Sequence, residues 1–220
     1  MVTAQGPAHW LLDEADDVGA ALVLGHGAGG GPEAADLAVL ARRLPPLGVT
    51  VARFEQPWRT AGRRVAVAPP RLDEAWSEAL PVLRSALPAG LPLATGGRSS
   101  GARVACRTAA ATGAAAVVCL AFPLHPPGRP DRSRAVELLA PAVPRLVLQG
   151  TRDTFGGPAE VRAAAAGDPG VVVVELPGAD HGYRLPAGAP FTPADLRDRL
   201  VAEVAGLLGA GPARSGADGE

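Results

Sequence analysis

Three short motifs carry residues able to do nucleophilic chemistry. They are a serine in Gly97-Arg98-Ser99-Ser100-Gly101, an aspartate in Thr151-Arg152-Asp153-Thr154, and a histidine in Gly178-Ala179-Asp180-His181. A serine hydroxyl is barely nucleophilic until a neutral imidazole takes its proton. A carboxylate beside that imidazole fixes its tautomer and stabilises the imidazolium. The first motif fits G-x-S-x-G, in which a serine sits on a sharp strand-to-helix turn and its neighbours must be small. It follows the apolar run Leu91-Pro92-Leu93-Ala94-Thr95-Gly96 and opens the alanine-rich segment 102–111. Centring on Ser100 would place Arg98 and Ala102 where glycines belong, so Ser99 is the candidate nucleophile. By itself the pattern is equally a Gly-Ser turn. Asp180 competes with Asp153 for the acid role, but it adjoins His181 and has trouble reaching the far nitrogen of that ring.

A second glycine-rich stretch, Gly25-His26-Gly27-Ala28-Gly29-Gly30-Gly31-Pro32, has two readings. Its G-x-G-x-x-G spacing, with Glu55 downstream as a ribose-binding acid, matches a dinucleotide fingerprint and a nucleotide-binding oxidoreductase. Alternatively it is a loop whose backbone N–H groups, from Gly27 or Ala28 together with Ser100, stabilise an oxyanion. The position of Pro32, the bulk of His26 and the downstream serine motif favour the oxyanion loop. No Lys-Ser/Thr pair follows, so it is not a phosphate loop of the Walker type.

These motifs need elements to hold them. Ala20-Ala21-Leu22-Val23-Leu24 is a continuous apolar run, as expected of a strand covered on both faces. Leu37, Leu40, Ala41 and Leu44 mark a helix ending near Pro45-Pro46, and residues 47–55 read as the next strand, completing a β-α-β unit. Residues 56–64 read as a loop, with Trp58, Arg59, Arg63 and Arg64 as candidates for lining a substrate site. Leu72, Trp76, Leu80 and Leu83 mark a further helix, with a kink or break expected at Pro81. Strands are expected over 114–120, 145–150 and 171–175, and a short helix over 135–139. His125, in a proline-stiffened loop, is a candidate lining residue, as are His26 and Arg98. Thr192-Pro193-Ala194-Asp195 starts a last helix with a capping threonine, a proline at the first position and an acid at the third. His9-Trp10-Leu11-Leu12 suits an edge strand. Residues 1–208 form one expected domain and 209–220 a disordered tail.

Composition narrows the classes. The chain has 220 residues, 47% hydrophobic, enough for one domain with a large core. A net charge of -1 offers no global field for nucleic acid or an anionic membrane. No apolar run is long enough to cross a membrane and the start is unlike a secretory leader, so a cytoplasmic protein is expected. Cys106 and Cys119 lack the spacing of a metal site and read as buried small hydrophobes. Neither a metal nor a cofactor is expected.

Strands and helices thus alternate, and Ser99, Asp153 and His181 fall on successive strand-end loops in the order Ser, acid, His, the order of α/β hydrolases. Four segments carry the resemblance: Gly25-His26-Gly27-Ala28-Gly29-Gly30, Gly96-Gly97-Arg98-Ser99-Ser100-Gly101, Leu148-Gln149-Gly150-Thr151-Arg152-Asp153 and Gly178-Ala179-Asp180-His181. Over residues 20–208 the chain resembles the α/β-hydrolase superfamily. More narrowly it resembles its small cytosolic dienelactone-hydrolase-like branch, which includes the hydrolase-like subunit of the NSL histone-acetyltransferase complex and a testis-expressed relative. The resemblance implies an α/β-hydrolase fold with a mostly parallel central sheet and helices on both faces. It also implies Ser99 as nucleophile, Asp153 as acid, His181 as base and the 26–28 loop as part of the oxyanion hole. Serine stands where dienelactone hydrolases use cysteine, so their reaction is not implied.

The favoured expectation is a serine hydrolase cleaving a small carboxylic ester or thioester through an acyl-enzyme. About twenty residues separate the strand ending near Phe122 from the next, too few for a large cap domain, so a shallow, open site is expected. The arginines of 59–64 would favour anionic substrates. A non-catalytic interaction module of the same fold is the alternative, and the dinucleotide-binding oxidoreductase a second.

Overall fold

The computed structural model describes residues 1–210; most of the expected tail lies outside the described residues. The chain starts with an antiparallel ribbon, β1 (Val2–Thr3) with β2 (Gly6–Pro7), which the sequence pattern did not announce. Next come β3 (His9–Asp13), β4 (Ala20–Gly25), α1 (Ala35–Arg43) and β5 (Val49–Glu55). The segment expected as a loop after β5 instead begins with a helical turn, α2 (Pro57–Thr60), because Pro57 pre-sets the first helical residue. Then follow α3 (Pro69–Ala86), β6 (Leu93–Arg98), α4 (Ser100–Thr112), β7 (Ala116–Leu120), α5 (Ala135–Leu139) and β8 (Arg145–Gly150). The chain closes with α6 (Pro158–Ala164), β9 (Val171–Leu176) and α7 (Pro193–Leu207).

The sheet has seven strands in the order β3-β5-β4-β6-β7-β8-β9, all parallel except the edge strand β3. Its order reverses between β4 and β6, which pair side by side with Gly25 opposite Gly97. In open α/β sheets that switch point, at the strands' C-terminal ends, is where a crevice forms.

Strand β4 is buried at every position because both faces are covered. Leu22 and Leu24 pack with Leu37 and Leu40 of α1 and with Leu200 and Val204 of α7. Ala21 and Val23 pack on the other side with Trp76 and Leu80 of α3. Farther along that side, Cys119 and Val147 meet α4, Leu138 of α5 and Val161 of α6. Helices therefore cover both faces, as a parallel sheet requires.

Helix α3 runs continuously through Pro81, so of the kink or break expected there the break does not occur. Pro81 lies on the exposed side, while Leu72, Trp76, Leu80 and Leu83 are buried and hold the helix to the sheet. Packing outweighs the lost N–H bond, which is one reason propensity is a weak prior. Thr192 caps α7 as its sequence announced, with Asp195 N–H donating to Oγ1 at 3.2 Å and the Asp195 carboxylate accepting from Thr192 N–H at 2.8 Å. Between β7 and β8, residues 121–144 hold a 3-10 turn (Pro130–Arg132) and α5, so no cap domain is inserted there.

Candidate active site

Ser99 sits between β6 and α4 with φ 51° and ψ −107°, a conformation that costs an L-residue on the order of 1–3 kcal/mol. The surroundings hold it there. Its N–H donates to the Leu120 carbonyl at 2.9 Å, and its own carbonyl accepts from Arg103 N–H at 3.2 Å. The flanking glycines are a steric requirement: a Cβ on Gly97 would lie 2.3 Å from the Gly25 carbonyl oxygen, and one on Gly101 only 2.2 Å from it. The Ser99 side chain caps nothing on α4, which leaves its hydroxyl free for another partner.

That partner is His181. Its Nε2 lies 2.9 Å from Ser99 Oγ, and its Nδ1 lies 2.8 Å and 3.0 Å from the two carboxylate oxygens of Asp153. Nδ1–H donates to the carboxylate, so Nε2 is left to accept the serine proton. Asp153 has no exposed side-chain surface, and it is held from two further sides. Phe155 N–H donates to Oδ1 at 2.8 Å, and Gln149 Nε2 donates to Oδ2 at 3.0 Å. The Phe155 ring stacks on the imidazole with centroids 4.1 Å apart. Asp180 takes a different part: its Oδ1 accepts from Gly182 and Arg184 N–H at 2.7 and 2.9 Å, closing the turn that presents His181.

The turns bearing Asp153 and His181 are stitched together. Arg152 N–H donates to the Ala179 carbonyl at 2.9 Å, and Gly178 N–H to Thr151 Oγ1 at 2.8 Å. Tyr183, at φ 58°, anchors the histidine loop to β8 by donating its hydroxyl to the Leu148 carbonyl at 2.7 Å. Burial pushes that phenol's pKa well up, so it stays a donor. Arg98 adds the last tie. Its guanidinium pairs with buried Asp36 of α1 at 2.9 Å, donates to the His181 carbonyl, and lies 4.7 Å over the Tyr183 ring.

The glycine loop runs along the other side of Ser99. A Cβ on Gly27 would be 3.7 Å from the Ser99 Cβ, in ordinary contact. His26 lies beneath the loop, buried and edge-on to Trp58 at 5.5 Å. Its Nδ1–H donates to the Gly27 carbonyl at 2.9 Å, and its Nε2 accepts from Gln56 N–H at 3.2 Å. Burial lowers its pKa, favouring the neutral ring that this donor-acceptor pair requires. Helix α1 begins only at Ala35, ten residues beyond the end of β4 at Gly25. The loop therefore does not lead straight into a helix N-terminus as a dinucleotide fingerprint does, and that reading is disfavoured.

Beside Ser99 and His181 opens a cavity of about 730 Å³, lined by Gly27, Ala28, Arg98 and Phe155 near the serine. It is walled by α1 and α7 through Val39, Leu196 and Leu200. The other expected lining residues are elsewhere. His26 and Trp58 are buried under the loop. Arg59 reaches Glu33 in the glycine loop at 2.6 Å and Glu55 at 3.4 Å. Arg63 lines a separate small cleft with Gln5 and Arg71, and Arg64 is exposed away from the cavity. His125 is drawn toward α6, with Nδ1 on the Pro126 carbonyl at 2.9 Å and Nε2 3.2 Å from Glu160; those partners raise its pKa.

Sequence reasoning missed Asp36, Gln149, Phe155, Tyr183, Arg184 and Arg197. The acid in the first turn of α1 was visible, but nothing in the sequence paired it with Arg98, 62 residues away. Cys106 and Cys119 are buried together with Sγ atoms 3.5 Å apart and lie off the site. Their mutual hydrogen bond and burial push the Cys119 thiol well up, which fits an inert role. Among the described residues no cluster could hold a metal ion and no helix is long and apolar enough to cross a membrane.

Comparison with known proteins agrees with this architecture. No curated protein matches the chain. Among solved structures, an α-β serine hydrolase homologue from Coxiella burnetii superposes with TM-score 0.75 at 19% identity, covering 93% of this chain and 95% of that one. A lid-less a/b serine hydrolase from Xanthomonas campestris gives 0.72 at 25% identity, covering 96% and 94%. Est1E from Butyrivibrio proteoclasticus gives 0.70 at 14% identity, covering 92% and 95%. A family model described as an alpha/beta hydrolase domain matches residues 18–208, and with seven strands ordered around a Ser–His–Asp chain, the protein belongs to the α/β hydrolases.

Proposed function

We propose that this protein is a serine hydrolase cleaving small carboxylic esters or thioesters through an acyl-enzyme. The observation that carries the reading is the unbroken chain Ser99 Oγ, His181 Nε2, His181 Nδ1, Asp153, with every link at 3.0 Å or less. Ser99 Oγ attacks the substrate carbonyl carbon while His181 Nε2 takes its proton. Asp153 keeps the Nδ1–H tautomer and stabilises the imidazolium. The carbonyl π pair moves onto oxygen. The N–H of Ser100, at the start of α4 where helix amides lack intrahelical partners, and that of Gly27 or Ala28 would receive it. Collapse breaks the bond to the alkoxide or thiolate, which leaves with the proton from His181. Water then repeats the sequence on the acyl-serine and releases the acid.

The four motifs that border this site also support membership of the dienelactone-hydrolase-like branch. The protein needs no cofactor on this reading, and the substrate is a small molecule. A non-catalytic module would have no use for a strained Ser99 held against a histidine and a buried acid. Hydrolysis of para-nitrophenyl acetate by the wild type and by Ser99→Ala, His181→Ala and Asp153→Ala tests the proposal. Loss of turnover by on the order of 1,000-fold or more in the first two supports it. Equal turnover in Ser99→Ala would overturn it.

A further inference from the structure

The cavity beside Ser99 combines an apolar wall with a distribution of charge that selects a kind of substrate. Arg98 and Asp36 both line it, but they neutralise each other in a 2.9 Å pair. The other charged side chains on the lining are Arg184 and Arg197. Arg184 follows the histidine turn, whose carboxylate, Asp180, is bonded to backbone N–H groups. Arg197 projects from α7 between Leu196 and Leu200, both buried on the cavity wall. Neighbouring acids on α7 are engaged elsewhere: Asp195 caps the helix at Thr192, Asp198 pairs with Arg43 at 2.6 Å, and Glu203 pairs with Arg199 at 2.7 Å. Neither Arg184 nor Arg197 makes an ion pair among the described residues. Two guanidiniums at the rim of an apolar cavity attract and orient an anion, and the fork of each matches a carboxylate.

Building on the hydrolase reading above, the geometry points to a substrate that is a short-chain ester or thioester bearing a carboxylate a few carbons from the scissile carbonyl. The apolar chain lies along Val39, Leu196 and Leu200, and Arg184 and Arg197 hold the carboxylate. The role expected from the sequence for Arg59, Arg63 and Arg64 thus passes to two arginines on other elements.

Paired substrates identical except for charge test this. Para-nitrophenyl hydrogen adipate against its methyl ester places the carboxylate on the acyl side. Para-acetoxybenzoate against its methyl ester places it on the leaving group. The readout is the ratio of kcat/KM for the charged over the neutral partner. In the wild type at low ionic strength that ratio is expected to be about tenfold in one series, as two charge-assisted contacts can supply. It should fall toward unity in Arg184→Gln/Arg197→Gln and invert in Arg197→Glu. Added salt should also lower it in the wild type. Both arginines are exposed, so the variants should fold. A wild-type ratio near unity in both series, or one that survives in the double variant, overturns the proposal. Absence of turnover of the neutral esters with no acylation of Ser99 would instead count against the hydrolase reading itself.

Discussion

Arg98, the residue immediately before Ser99, donates a guanidinium hydrogen bond to the backbone carbonyl of His181. The variable position of the G-x-S-x-G turn therefore ties the strand that leads into Ser99 to the loop that carries His181. Through Asp36 the same guanidinium also holds α1, the helix that follows the glycine loop. One side chain joins three segments far apart in the chain whose relative placement sets the Ser99–His181 distance.

Arg98→Met should therefore lower kcat by about 10- to 100-fold, the scale of a misplacement of roughly 1 Å between reacting groups. KM for a small neutral ester should change much less. Asp36→Asn should act in the same direction, and the double variant should cost less than the product of the two, because both report one interaction. Steady-state kinetics on the four proteins of that cycle checks this. A rise in KM with kcat intact would show that Arg98 contacts substrate instead.

The glycine turn makes a steric prediction. Gly97→Ala and Gly101→Ala each drive a Cβ against the Gly25 backbone, at 2.3 and 2.2 Å. Forcing such overlaps typically costs 1–3 kcal/mol, read from urea denaturation midpoints, and would displace Ser99 as well. Gly27→Ala is the control, since its nearest neighbour would be an ordinary 3.4 Å away. Its stability should match the wild type within about 0.5 kcal/mol.

His26 gives the pH dependence a direction. Burial lowers its pKa below 6.5, so the unfolded chain binds the proton more readily than the folded one. Its contribution to stability is complete above about pH 6.5 and is lost as the pH falls through the folded-state value. Protonation also removes the acceptor for Gln56 N–H beneath the glycine loop. Melting temperatures measured from neutral pH down to about 5 should fall more steeply for the wild type than for His26→Gln. A parallel pair of curves would show that His26 does not titrate in this way.

The distance between what sequence shows and what folding adds is clearest at these residues. Ser99, Asp153 and His181 were legible because each lies in a short motif at the end of an apolar strand. Adjacency to His181 then separated Asp180 from Asp153, since a neighbouring carboxylate reaches the far ring nitrogen poorly. The central strands β4 and β7 were legible for a similar reason: strands covered on both sides read as unbroken apolar runs. The cavity lining was not. Arg59, in the turn after β5, looked free for an anion, yet it reaches back to Glu33, and no local pattern announces that pairing. Arg197 carries no local signal in the sequence, and it meets the cavity because α7 packs beside α1. Helix α6 is seven residues long and Pro-led, too short for an apolar period to stand out.

Asp153→Asn isolates the acid. The amide keeps the size of the side chain but favours the wrong imidazole tautomer, which costs about 10,000-fold in kcat in a comparable triad. Phe155 N–H and Gln149 Nε2 donate to different carboxylate oxygens, so the amide keeps an acceptor for one of them; Gln149 Nε2 also donates to the Phe122 and Gly156 carbonyls, so the fold should persist. Circular dichroism and ester turnover on the same preparation separate these effects. Turnover within tenfold of the wild type would remove Asp153 from the mechanism.

The central claim is that Ser99 is a nucleophile activated by His181. Reaction with a fluorophosphonate, followed by intact-protein and peptide mass spectrometry, tests it most directly. A serine hydrolase of this geometry should give one adduct per chain, located on Ser99, absent in Ser99→Ala and strongly slowed in His181→Ala. An unmodified wild type, or an adduct on another residue that persists in Ser99→Ala, would contradict it.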